Sequence, residues 1–164
     1  RRSGALREVR GVGCGGGPAT PAPAGGTRSE GATVTDAGVP DGDVYDWYQR
    51  GLQLLANRDP AAAATILARA AEAEPGSRSL LEALARAQYD AGRYTEAVGT
   101  FRELTVRNPA DDYAQFGLGL AASRAGDLDL AAEHLALAVA MRPDLGHYSR
   151  ALRGVRARRG GETP

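Results

Sequence analysis

One cysteine, Cys14, is present among 164 residues, so neither an intramolecular disulfide nor a multi-cysteine metal centre can form within the chain. Lysine is absent, and every basic side chain is an arginine. That excludes a phosphate-loop lysine and a Schiff-base lysine, and it points to a GC-rich coding genome. The single methionine is Met141, so the first residues are expected to be an incomplete or misassigned start. No apolar run approaches the 18 or so residues that span a bilayer. The opening RRSGALREVRGVG is broken by Arg7, Glu8 and Arg10 and does not read as a secretory signal. Cys14 after Gly13 lacks the upstream apolar run of a lipid-anchor site. The expected location is the cytoplasm. Aromatics make up only 5% of the chain, so a core built largely from Ala and Gly must rely on close helix approach.

Net charge is zero but uneven. Residues 41–145 carry sixteen acids against ten arginines, whereas residues 146–164 carry Arg150, Arg153, Arg156, Arg158 and Arg159 against Glu162. An acidic body thus has a basic end, which either meets an acidic partner or simply faces water.

What the chain does have is a period. Pro75, Pro109 and Pro143 are 34 residues apart. Twenty-four places before each stands a small residue, Gly51, Ala85 or Gly119. Twelve before stands Ala63, Ala97 or Ala131, and eight before stands Leu67, Phe101 or Leu135. Self-similarity at this period means stacked repeats, each a supersecondary unit that cannot bury its apolar face alone.

Within each repeat the pattern reads as two helices with a tight turn. The expected helices are 44–56 and 60–74, then 78–91 and 94–107, then 112–125 and 128–141. Asp41 and Asp43 offer N-caps to the first helix, Asp59 and Asp127 to later ones, and Pro60 suits a first helical turn. Gly92 and Gly126 suit the left-handed conformation that ends a helix. Arg58 stands at the equivalent place in repeat one, so that turn is expected to be built differently. A seventh helix over 145–158 shows an apolar stripe at Tyr148, Ala151, Leu152 and Val155. The organisation is a Gly/Pro/Ala-rich disordered tail (1–40), repeats at 44–77, 78–111 and 112–145, a capping helix at 146–158, and a disordered tail at 159–164.

The sets Trp47, Gly51, Ala63, Leu67, Pro75; Leu81, Ala85, Ala97, Phe101, Pro109; and Gln115, Gly119, Ala131, Leu135, Pro143 resemble the tetratricopeptide repeat (TPR) family. The run GRYTEAVGTFRELTVRNP (92–109) is the nearest match. Departures stand at Arg50, where the other repeats have Leu84 and Leu118, at Gln115 in place of a large apolar residue, and at Gln88 in place of an aromatic. The resemblance implies an all-α, right-handed helical-hairpin solenoid of three 34-residue repeats plus a C-terminal capping helix. It also suits a bacterial source.

Such a solenoid binds partners on an extended concave surface. By the resemblance, the first helices line it through Tyr45, Tyr48, Leu52 and Leu55, then Ser79, Glu82, Arg86 and Tyr89, then Tyr113, Phe116, Leu120 and Ser123, with His147 and Arg150 following. Four of six Tyr fall on this face. The expected partner-binding set is Tyr45, Tyr48, Leu52, Glu82, Arg86, Tyr89, Tyr113, Phe116 and Leu120. The rings either line the groove or pack against the next repeat. Tyr48 and Leu52 stand where some family members carry a carboxylate clamp, so none is expected here.

Catalytic motifs fail on context. Gly11-x-Gly13-x-x-Gly16 lacks a preceding strand, and Pro18, Pro21 and Pro23 forbid the following helix. His134 and His147 fall on different helices. Asp41, Asp43 and Asp46 read as helix N-capping rather than a cation site. Basic and aromatic residues do not coincide as nucleic-acid binding would need. The expectation is a non-catalytic interaction scaffold without cofactor or metal. It would bind a protein or peptide partner, neither bind nucleic acid nor span a membrane, and be a monomer or weak homo-oligomer. The alternatives are a self-associating assembly module, with the basic end helix against an acidic body, or an accessory subunit of a larger complex.

Overall fold

A computed structural model of the chain describes residues 42–161. The 1–40 tail, Cys14, the glycines at 11, 13 and 16, Asp41 and residues 162–164 lie outside the described residues. Seven helices make up the described part: α1 (Val44–Ala56), α2 (Pro60–Ala73), α3 (Arg78–Asp90), α4 (Tyr94–Arg107), α5 (Asp112–Ala125), α6 (Leu128–Met141) and α7 (Gly146–Gly161). No strand occurs among them. Each helix packs on the next, and α1, α3, α5 and α7 also touch in succession, so the first helices of the hairpins form one side of a solenoid.

The helix starts follow local chemistry. Asp43 accepts from the Asp46 amide at 2.9 Å while Asp46 accepts from the Asp43 amide at 3.3 Å, a reciprocal capping box. Asp59, Asp111 and Asp127 cap α2, α5 and α6. Helix ends reveal one correction. Gly92 and Gly126 have φ of 76° and 98°, as expected, but Arg58 takes the same left-handed conformation at φ 60°. Its turn is closed as at Gly92: Arg58 N donates to Leu55 O and Asp59 N to Leu54 O, as Gly92 N and Arg93 N donate to Tyr89 O and Gln88 O. The turn is therefore the same one, with a non-glycine residue carrying the strain. The end helix runs to Gly161, three residues past the expected Arg158, so Arg159, Gly160 and Gly161 are helical rather than tail.

The periodic small residues set helix spacing. A Cβ on Gly51 would sit 2.5 Å from Leu67 Cγ, and one on Gly119 would sit 2.6 Å from Leu135 Cγ. Ala85, Ala97 and Ala131 are fully buried. Leu67 packs with Leu80 and Leu84 of the next hairpin, and Phe101 with Ala114 and Leu118.

All three departures from the family pattern have a structural reason. The α3 face turned to α2 is Leu80, Ala83, Leu84 and Ala87, and on α5 the matching face is Ala114, Gly117, Leu118 and Ala121. On α1 the same positions are Asp46, Gln49, Arg50 and Gln53, all exposed. Arg50 is polar because no described helix covers it. Gln88 is buried and its Oε1 accepts from Thr100 Oγ1 at 2.7 Å. Gln115 is buried too: its Nε2 donates to Pro109 O at 3.0 Å and its Oε1 lies 2.6 Å from His134 Nδ1. Thr100 and His134 are one repeat apart, so a buried polar contact ties first to second helix in both repeats. Such contacts favour one register, since a slip would leave a buried amide unpaired.

Candidate functional site

The first-helix side of the stack carries two hollows. The larger, about 210 Å³, opens between α3 and α5. Tyr89, Tyr113, Phe116 and Leu120 form its walls, Phe101 and Gly117 its floor, and Arg86 and Asp90 its polar rim. Gly117 is required there: a Cβ would lie 2.3 Å from Phe101 Cε1. Tyr113 is 42% exposed and meets Phe101 edge-on at 6.3 Å. Loss of water around its phenol raises its pKa, against an opposing pull from Arg86. Tyr89 is half-buried and edge-on to Tyr94 at 5.5 Å. Arg86 and Asp90 pair loosely at 3.7 Å, leaving both rim charges able to meet a ligand.

The smaller hollow, about 150 Å³, lies between α1 and α3, lined by Val44, Tyr45, Tyr48, Glu74, Ser77, Ser79 and Leu80. Tyr45 stands 66% exposed at its mouth.

Seven of the nine expected groove residues therefore border these hollows: Tyr45 and Tyr48 one, and Arg86, Tyr89, Tyr113, Phe116 and Leu120 the other. Leu52 and Glu82 border neither. Glu82 is held by Arg78 at 2.6 Å. Phe116 has a double role, since one face stacks on Tyr148 of α7 at 4.2 Å and its edge region meets His147 at 5.3 Å. Sequence reasoning missed Asp90, Phe101 and Gly117. Gly117 gave a signal, a glycine inside a helix where the other repeats have Gln49 and Ala83.

The starts of α3 and α5 meet in a structural junction. Asp111 is buried, accepts from the Ala114 amide at 3.1 Å through Oδ1, and has Arg78 Nη2 2.9 Å from Oδ2. That second contact is an ion pair without hydrogen-bond alignment. Arg107 donates to Pro75 O at 2.7 Å, tying α4 to the turn that closes repeat one. Among the described residues, no cluster of His, Cys, Asp or Glu is placed to hold a metal ion, and no helix is long and apolar enough to cross a membrane.

The tetratricopeptide repeat pattern matches residues 48–111 and 82–146. No curated protein sequence matches the chain. Among solved structures, MamA (residues 41 to the end) from Desulfovibrio magneticus RS-1 superposes with a TM-score of 0.69 at 23% identity, over 72% of this chain and 67% of that one. MamA of strain MSR-1 gives 0.67 at 22% identity, over 72% and 68%. YrrB, described as a TPR protein with an unusual peptide-binding site, gives 0.64 at 21% identity, over 68% of this chain and 58% of YrrB. At these identities the likeness is one of fold.

Proposed function

The chain belongs to the tetratricopeptide repeat family, and from that premise we propose that it is a non-catalytic scaffold that docks a partner peptide or helix in the hollow between α3 and α5. The observation that carries this reading is an apolar hollow with a polar rim between the first helices of two hairpins: Tyr113, Phe116 and Leu120 around Phe101, with Arg86 and Asp90 above. At about 210 Å³ it exceeds the ~150 Å³ cavity that admits a benzene ring, so one aromatic or aliphatic side chain fits. Aromatic anchors surrounded by a few charged groups are the usual anatomy of a binding hot spot. The Tyr45 and Tyr48 hollow would take a second anchor of the same partner. A peptide-binding site in YrrB, on the same fold, is consistent with this use of it. The reading includes a cytoplasmic location and a GC-rich bacterial source, the latter resting on the all-arginine basic set.

Self-association through the basic end has less support, because two of its five arginines, Arg158 and Arg159, are turned onto their own body, at Ser123 and Asp129. The test of the groove is selection from a displayed random-peptide library. Selected peptides should carry a large apolar anchor and lose binding to Tyr113→Ala and Leu120→Glu. Equal binding to those variants, with helicity intact, would remove the groove assignment.

A further inference from the structure

We propose that the outer face of α7 is a second docking surface, independent of the groove, and that it receives an acidic helix of a partner protein. In each hairpin the first helix gives one face to the second: α1 to α2, α3 to α4, α5 to α6. On α5 that face is Gln115, Gly119 and Ala122. α7 takes the next place in the 34-residue step, and its residues at those positions are Ser149, Arg153 and Arg156. Arg150, the equivalent of Phe116 in the same step, stands beside this face on the groove side. The apolar stripe of α7 points the other way, with Tyr148, Leu152 and Val155 buried. So α7 is anchored as a first helix and presents arginine where a first helix meets its mate.

The charges on this face are uncompensated. Arg78, Arg86, Arg93, Arg107 and Arg142 each pair with a carboxylate, and Arg159 of α7 pairs with Asp129 at 2.8 Å. Arg150, Arg153 and Arg156 are exposed and have no ion pair or side-chain hydrogen bond among the described residues, and α7 contains no acidic residue. Arg153 and Arg156 stand three residues apart, about 4.5 Å along the axis, a spacing that carboxylates on one face of a facing helix can match. Guanidinium groups take carboxylates through two parallel hydrogen bonds, and two unpaired ones side by side on one face exceed the small contribution of an isolated surface pair.

Other anionic occupants fit less well. Of the two rings of α7, Tyr148 is buried against Phe116 and His147 stands at the Tyr113 position on the groove side, so the arginine face offers no stacking platform for bases. No apolar side chain on the arginine side could enter a membrane interface. An apolar helix like α6 would place its Ala131 and Leu135 equivalents against Arg153. An acidic helix satisfies both shape and charge.

The test uses the full chain and a fluorescein-labelled alanine-based helical peptide bearing glutamates on one face, followed by anisotropy at low and high salt. Binding should be salt-sensitive and about tenfold weaker in Arg153→Glu/Arg156→Glu, the effect expected from losing charge-assisted contacts. The control Arg50→Glu/Arg102→Glu changes net charge equally at two other unpaired arginines and should retain binding. A lysine-bearing version of the peptide should bind the reversed variant. Tyr113→Ala should bind the glutamate peptide as the parent does, which keeps this test separate from that of the groove. Absence of binding at low salt, equal loss in the control, or tighter binding of duplex DNA or phosphatidylserine vesicles would overturn the proposal.

Discussion

Phe116 on α5 lies nearly flat against Tyr148 on α7, ring centroids 4.2 Å apart and planes inclined by 17°. The Tyr148 hydroxyl meanwhile donates to Asp112 Oδ2 at 2.9 Å, back at the start of α5. One residue thus fixes the end helix by stacking and by a hydrogen bond, and it also backs the wall of the candidate groove.

Tyr148→Phe keeps the stack and removes the bond. A hydrogen bond to a charged acceptor contributes about 1.5–3 kcal/mol when buried, and the lower part of that range is expected here. Urea unfolding should show it, and hydrogen exchange should show faster opening of α7. Burial, and then Asp112, push the Tyr148 phenol up to about 12, so its ultraviolet titration should be the last among the tyrosines of the stack.

Gly117→Ala places a methyl group within the ring space of Phe101. Overpacking of this kind costs about 1–3 kcal/mol, and Ala97→Leu at a fully buried position should cost a similar amount. Denaturant midpoints check both. An unchanged midpoint in either would count against the close-approach account of the repeat.

Arg58→Gly should stabilise. Releasing a non-glycine side chain from φ 60° gains about 1–2 kcal/mol, partly offset by the greater freedom of glycine in the unfolded chain, leaving roughly 0.5–1 kcal/mol. The same change at Arg50, in mid-helix, should destabilise by about 1 kcal/mol. Thermal melts of the two variants should move in opposite directions.

His134 supplies a pH dependence. Gln115 uses its amide group on Pro109 O, so its carbonyl oxygen accepts from His134 Nδ1–H. Loss of water around the ring lowers the His134 pKa below its ordinary 6.5; Glu133 opposes and Arg102 reinforces this. The folded state therefore binds fewer protons than the unfolded chain just below pH 6.5. Stability is full above that value and falls as pH drops from it to the folded pKa. Urea midpoints at successive pH values should decline over this window, and His134→Ala should flatten the decline while lowering the plateau, because Gln115 loses its partner.

The helices, the end caps at Asp43, Asp59 and Asp127, and most of the lining of the two hollows were legible because a 34-residue step, once found, assigns every residue a place. The misreadings came from contacts that periodicity does not encode. Arg58 takes a conformation forced by the turn around it, whatever residue stands there. Gln88 and Gln115 read as exceptions to an apolar rule, yet each is satisfied by a polar residue on the following helix. Glu82, expected in the groove by position, is paired with Arg78 and borders neither hollow, and Asp111 became visible as a junction only once the starts of α3 and α5 were set side by side.

The exposed polar face of α1, with Asp46, Gln49, Arg50 and Gln53 where α3 and α5 are apolar, has a bearing on how this array could be lengthened. A duplicate of residues 78–111 inserted after Asp111 would meet, on either side, the same surfaces that α2 and α5 already present to repeat two. A duplicate placed ahead of α1 would have to lay its leucines on a charged surface. Growth of this lineage by repeat duplication is therefore favoured from within, and engineered extensions should be spliced at the interior proline turns.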